Sequence, residues 1–410
     1  MNSLSLKSIL SIDEKYVLLL ACFIIGFAPL QGVLILTLRL FVIVPGKIDT
    51  AITYIIYWGT LLLALRTIIN RIKWDSFCII LFFLIAYLLS IGIYGTDLDD
   101  WLGTGAGILL SVSFYFVGRS ITDFKKIKSY LRITGIFIGY SAFLLFFVLN
   151  KIEENTYSQY SGYVAMTAAV ISVSVLFEKF KLIHLANLIL SLSVIIYAGA
   201  RGPFVCFILF VGIKFLLIRG MSFKKHTLII ILTGVIVVLI LLYFQEILGY
   251  LSGIGAGKGY SLRLLTKMTN ETLLKDVDRD LLRRYSIQLI SENPIFGVGI
   301  YNDRILLTNL MGVSISETAG WYPHNFFLEV LLQFGIIVGS LMIVWILWVF
   351  YRAIIINRDV DSKDVLLMFF AFGFLPLLFS ESYLRTGLFF LLLGLCVTVL
   401  KNESVAERVL

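Results

Sequence analysis

Charge is scarce in this chain. Only 15% of its 410 residues are Asp, Glu, Lys or Arg, against 59% apolar residues, and the mean hydropathy is +0.96. That balance excludes a soluble globular protein. Cysteine is equally sparse. Cys22, Cys78, Cys206 and Cys396 each sit inside an apolar run, with no CxxC spacing and no histidine beside them. They imply neither a disulfide framework nor a zinc site and read as small buried apolar residues. There is no Walker loop, no GxGxxG joining a strand to a helix and no Ser-His-Asp order. The net charge of +8 calls for no nucleic-acid partner, because basic loops on the cytoplasmic side of a membrane account for it.

What the chain has is long apolar runs separated by short polar ones. In hydrocarbon every backbone amide must be satisfied within its own segment, so these runs are helices. The fold expected is all-α: a polytopic integral membrane protein of about twelve transmembrane helices. The spans fall near 16–36, 50–69, 76–94, 104–121, 130–149, 162–177, 183–199, 203–218, 227–246, 325–351, 364–380 and 386–400. The first is read as a retained span, since no small-residue cleavage site follows it. Basic loops set the orientation. Arg66, Arg71 and Lys73; Arg119, Lys125, Lys126 and Lys128; Lys179 and Lys181; Arg219, Lys224 and Lys225; and Arg352, Arg358 and Lys363 mark the inner side. The intervening loops, such as Asp97 to Asp100 and Glu153-Glu154, are acidic.

The chain leaves this apolar register once for long, over 248–323, on the outer side. Three regions result: 1–247 with nine spans, 248–323 as a large outer loop with short helices of its own, and 324–410 with three spans. Within the loop, Leu281, Leu282, Tyr285, Leu289 and Ile290 follow a helical period. Asn293-Pro294 stops that helix, and Gly297-Val298-Gly299 makes a tight turn. Gly253, Gly255, Gly257 and Gly259 alternate and read as a flexible lead into the loop.

Candidate chemistry gathers on the outer side. Arg279, Arg283 and Arg284 cluster on the loop helix, where a guanidinium fork suits phosphate oxygens. The alternative is a headgroup-facing patch paired with Asp276, Asp278 and Asp280. Arg201, in the short turn Gly199-Ala200-Arg201-Gly202-Pro203, has small neighbours that leave room for a large headgroup; the alternative is an interfacial anchor. His324 is the one histidine of three on the outer side. Pro323-His324-Asn325 opens the tenth span with Pro at the first helical position, and the positive helix end favours a neutral imidazole able to accept a proton. It competes with an ordinary interfacial histidine. Asn325 and Glu329 lie one turn apart, so Glu329 could orient Asn325 or a sugar hydroxyl; Gln333 continues the polar stripe, and Gly335 and Gly339 permit close helix packing. Glu381 and Arg385 share the last outer turn as substrate contacts or as a mutual ion pair. Asp97, Asp99 and Asp100 resemble a metal-binding pattern but read as a solvated loop, and no metal or cofactor is expected.

One combination is more specific. An Arg-bearing helix, then Glu292-Asn293-Pro294-Ile295-Phe296-Gly297-Val298-Gly299, then Pro323-His324-Asn325-Phe326-Phe327-Leu328-Glu329 and Gln333-Phe334-Gly335, resembles the signature region of the bacterial O-antigen ligase/polymerase family. In motif the resemblance covers about 279–340, and Arg201 in its Ala-Arg-Gly turn is similar to the family's arginine in the corresponding loop. The resemblance implies a GT-C-like membrane glycosyltransferase of the bacterial inner membrane, with its active site facing the periplasm. It implies transfer of a glycan from undecaprenyl diphosphate to a sugar hydroxyl, inverting and without metal. Arg201 and Arg279 would hold the diphosphate, with Arg283 and Arg284 as further candidates, and His324 would lie near the acceptor. The departure is Arg283, where the family often has an aromatic. The function expected is polymerisation of O-antigen or capsular repeat units on the lipid carrier. The runner-up is ligation of the glycan to lipid A-core. Implied partners are the carrier-linked oligosaccharide, the growing glycan or lipid A-core, membrane lipids, a chain-length regulator and a flippase. A glycolipid flippase or exporter is the rival from another class; it would need ionisable groups along a path through the bilayer, and the central spans hold few.

Overall fold

The computed structural model describes residues 73–94, 98–148, 159–198, 201–217, 277–312 and 321–409. The expected spans 16–36, 50–69 and 227–246, the alternating glycines and Asp97 lie outside them. Every element among the described residues is helical. In chain order they are α1 (Trp74–Tyr94), α2 (Leu98–Ser120), α3 (Phe124–Phe143), α4 (Gln159–Glu178), α5 (Leu182–Tyr197) and α6 (Arg201–Leu217). They continue with α7 (Val277–Glu292), α8 (Asn302–Leu310), α9 (Phe326–Phe350), α10 (Val360–Gly373) and α11 (Gly387–Val409). Trp74–Tyr94, Ser161–Glu178 and Phe326–Ile356 are long and apolar enough to cross a bilayer; Leu182–Ile196, Gly202–Leu217 and Gly387–Asn402 are shorter apolar helices.

The chain divides into two compact units: residues 1–27, 46–131 and 276–410, and residues 28–45 and 132–275. In the second, α4 packs against α5 and α6. Asn187 on α5 pins that contact, donating to the Gly135 carbonyl at 3.0 Å and to Ser172 Oγ at 2.8 Å. Arg132 pairs with Glu178. Hydrogen bonds of this kind hold helices together where lipid supplies no hydrophobic drive.

In the first unit α2 lies against α11. Small residues allow the approach: a Cβ on Gly118 would stand 2.4 Å from the Leu391 carbonyl. One end of this pair is polar. Arg119 reaches Asp75 on α1 at 2.7 Å and Thr398 on α11 at 2.8 Å, while Lys128 pairs with Asp361 at 2.9 Å and Asp364 at 2.7 Å. The opposite end is aromatic. Phe326, at the start of α9 and 0% exposed, makes ring contacts with Phe374, Tyr383 and Phe389 at centroid distances of 5.4, 5.7 and 5.6 Å. This edge-to-face cluster fixes the head of α9 against the turn before α11.

The loop segments build their own small core. Leu282, Leu289 and Ile290 of α7 pack with Val298, Leu307 of α8 and Leu332 of α9, each buried apolar side chain contributing roughly 1.5–3 kcal/mol. The expected period of the loop helix is the face that is buried, with Tyr285 packed at its edge.

The turn after α7 is clasped into α9. Gly335 has φ +74° and ψ 176° inside the helix, which breaks the hydrogen-bond ladder. Val298 N–H then donates to the Leu332 carbonyl at 2.8 Å and Gly299 N–H to the Gln333 carbonyl at 3.1 Å. Ile336 N–H returns the exchange, donating to the Pro294 carbonyl at 2.7 Å. Gly297 (φ +69°) stands so close that a Cβ there would lie 2.5 Å from the Gly335 nitrogen, and a Cβ on Gly335 would lie 2.3 Å from the Ile295 carbonyl. Only glycine satisfies both the backbone conformation and the space. Gly297→Ala and Gly335→Ala are each expected to cost roughly 1–3 kcal/mol of stability. Gly212→Ala on α6, where none of the described residues lies within 4 Å, should be neutral. Thermal unfolding of the detergent-purified protein checks this, and unchanged midpoints for both clasp variants would contradict the geometry.

Candidate functional site

Beyond the clasp, the chain enters α8 through Tyr301, whose φ is +72°. α8 carries Asp303 and Arg304 into the interior, 0% and 1% exposed. Neither was singled out from sequence. Arg304 Nη2 donates to Glu329 Oε1 on α9 at 3.1 Å and to Ser382 Oγ at 2.6 Å, and Ser382 Oγ donates to the same Glu329 oxygen at 2.5 Å. Beside this pair Gln333 donates to Asp303 Oδ2 at 3.0 Å and accepts from the Tyr383 hydroxyl. Burial pushes the Asp303 carboxyl above the usual carboxylate range, with the Arg304 charge and the Gln333 hydrogen bond pulling it back. Asp303 Oδ1, Arg304 Nη1 and Glu329 Oε2 have no protein partner among the described residues.

The start of α9 differs from the expected one. Pro323 is not the first helical residue: the helix opens at Phe326, with Asn325 as its cap, accepting from Leu328 N–H at 3.1 Å. His324 has φ +51°, in the left-handed region, which keeps the chain out of the helix for one more residue. Glu329 makes no hydrogen bond to the Asn325 side chain: its Oε1 holds Arg304 and Ser382, and Oε2 has no partner among the described residues.

The turn between α10 and α11 collects the remaining candidates. The Phe379 carbonyl accepts from Arg279 Nη1 at 3.0 Å. The next carbonyl, of Ser380, lies 3.0 Å from His324 Nδ1 and accepts from the Tyr322 hydroxyl at 2.7 Å. A carbonyl offers no proton, so the hydrogen-bonding geometry assigns a proton to Nδ1; in the neutral imidazole the lone pair is then on Nε2. Glu381 follows, accepting from Thr386 Oγ1 at 3.2 Å; this hydroxyl contact stands in place of the expected Glu381–Arg385 ion pair. Burial lifts the Glu381 carboxyl to about 7. Burial and the neighbouring Arg304 charge hold Arg385 below its ordinary value, and burial, helped by the Glu329 charge, pushes the Tyr322 hydroxyl up to about 12.

The three clustered arginines of α7 are therefore not equivalent. Arg279 turns to the site, Arg283 lies exposed at 3.5 Å from Asp280, and Arg284 is exposed. Among the sequence candidates, the first unit brings Arg279, His324, Glu381 and Arg385 to one turn, with Glu329 beneath it. Arg201 opens α6 in the second unit. Tyr322, Ser380 and Ser382 were missed because neutral residues carry no patterning signal. Arg304 and Asp303 had a weak one, the only two charges in Asn302–Leu310; the clearer sign is Glu329, a lone Glu in an apolar helix that needs a partner.

The Glu381 carboxyl binds its proton more tightly in the folded than in the unfolded protein. Its effect is nil below pH 4.5, erodes stability as pH rises towards about 7, and persists as a constant penalty above that. Glu381→Gln should thus raise the unfolding midpoint at about pH 8.5, by up to about 3 kcal/mol and less where solvent reaches the group, and leave it unchanged at about pH 4. Thermal melts at the two pH values measure the difference. A loss of stability at the higher pH would contradict the burial argument.

No curated protein matches the chain. A family model described as O-antigen ligase matches residues 186–343, a stretch that runs from α5 into α9 and holds Arg201, Arg279, the clasp glycines, Arg304, His324 and Glu329. Over that stretch, less than half of its length, the chain is similar to the O-antigen ligase family, and the described residues are helical and include three helices long and apolar enough to cross a membrane.

Proposed function

We propose that the protein is a polymerase of surface-polysaccharide repeat units, taking a glycan from undecaprenyl diphosphate on the periplasmic side of the inner membrane. One observation carries the reading: adjacent carbonyls, of Phe379 and Ser380, anchor Arg279 and His324. A cation suited to phosphate and an imidazole with its lone pair on Nε2 are thereby tethered one residue apart.

In the proposed reaction the acceptor hydroxyl attacks the anomeric carbon opposite the diphosphate. The new C–O bond forms as the bond to the diphosphate oxygen breaks, inverting the carbon. The hydroxyl proton passes to His324 Nε2, and the electron pair leaves on the diphosphate. Arg279 neutralises that charge, the role a metal ion plays in other transferases, and Arg201 remains a separate candidate for the same task. Arg385 and Glu381, on the same turn, are assigned to the sugars, and exposed Arg283 and Arg284 to headgroup phosphate. The Tyr-Pro-His-Asn form with Glu329 favours the polymerase. A ligase would use the same chemistry with lipid A-core as acceptor. A flippase would leave the anchored imidazole without a task.

Deletion separates these outcomes: a polysaccharide gel should show core carrying a single repeat unit, whereas bare core with carrier-linked polymer would identify a ligase. In proteoliposomes with a carrier-linked repeat unit, Arg201→Ala and His324→Ala should each abolish product while expression is retained. Wild-type-like product from both variants, or movement of the glycolipid without product, would overturn the proposal.

A further inference from the structure

Arg304 is an expensive residue to bury. An apolar side chain of its volume, opposite an apolar partner in place of Glu329, would pack here without desolvating two charges. Its Nη1 and Glu329 Oε2 have no protein partner among the described residues, which adds to the cost. Stability alone therefore does not account for a guanidinium at this place. Its contacts point to the histidine. The Arg304 Cζ stands 5.0 Å from the centroid of the Tyr322 ring, and the same ring contacts the imidazole, 4.1 Å away between centroids and tilted by 42°. Tyr322 and His324 converge on one acceptor, the Ser380 carbonyl, and Arg304 holds Ser382 two residues on. The contacts close a ring: Arg304, Tyr322, His324, Ser380, Ser382 and back to Arg304.

We propose that Arg304 is a positioning residue for His324, its guanidinium holding the Tyr322 ring that contacts the imidazole and the Ser382 hydroxyl of the turn whose Ser380 carbonyl fixes the proton on Nδ1. A buried cation on an aromatic face is strongly directional, and the planar guanidinium stacks where an ammonium would not. Glu329 supplies the counter-charge that keeps Arg304 in this orientation. The inference rests on the reading of His324 as the proton acceptor, but its first test does not depend on turnover.

The chain has three histidines, so nitrogen-15 labelling of histidine in the detergent-purified protein gives few signals, and His324→Gln assigns the relevant one. The wild-type signal should report the Nδ1–H tautomer near neutral pH. Arg304→Met combined with Glu329→Gln removes the buried ion pair; the adjacent Asp303 carboxyl, which burial already pushes above the usual carboxylate range, keeps its Gln333 hydrogen bond. The double variant should shift His324 towards a tautomer mixture and move its titration midpoint. The transfer rate should fall about tenfold or more, with the KM for the carrier-linked donor little changed. Arg304→Lys should recover little of that rate. Tyr322→Leu keeps the ion pair and must produce the same spectral shift, which covers failure of the double variant to fold. An unchanged His324 signal in whichever of these variants folds overturns the proposal. Full transfer by His324→Gln would instead overturn the catalytic reading, with the spectral result standing by itself.

Discussion

The architecture of the site depends on a backbone exchange between two glycine-bearing segments. Helix α9 gives up part of its own ladder at Gly335, and the turn at 294–299 takes the released groups as partners. Buried backbone polar groups must be paired, so neither segment can adopt this shape without the other. The exchange sets where α8 begins, and α8 sets where Asp303 and Arg304 enter the interior. It also fixes the α9 face that presents Glu329 and Gln333 to them. The described segment 294–310 thereby becomes an extension of the helical core.

From that clasp the polar network grows towards the turn before α11. Arg304 bridges to Ser382, Tyr383 bonds to Gln333, and Arg279 and His324 are tied to neighbouring carbonyls. The aromatic cluster around Phe326 holds the same turn from below. Chemistry on a diphosphate-linked sugar needs cation and base held at fixed positions rather than strong individual groups. In the proposed transfer, a turn whose backbone, not its side chains, anchors Arg279 and His324 would meet that need.

Much of this was legible in the sequence, but as parts. The period of Leu282, Leu289 and Ile290 gave the loop helix, and the apolar runs gave the helical membrane architecture. Gly297, Gly299 and Gly335 were legible as turn and packing residues. That they serve one another was not, because pairing over a separation of 38 residues between Gly297 and Gly335 leaves no local pattern. The start of α9 was misread for a local reason: proline at a helix head is a common signal, and an asparagine cap two residues later, reached through a left-handed histidine, overrides it. Arg304 left no clear mark, because an Asp-Arg pair at the start of a short helix has the pattern of a solvated helix head, and only the fold shows both side chains buried. Glu329, visible on the α9 face, could be given its partner only by the fold.

The most direct test of the account is an experimental structure of the protein with an undecaprenyl-diphosphate-linked repeat unit or a non-hydrolysable analogue. The account predicts the diphosphate against Arg279 and the anomeric carbon within reach of a hydroxyl that contacts His324 Nε2. A carrier bound away from the Phe379–Arg385 turn, with His324 remote from the sugar, would contradict it.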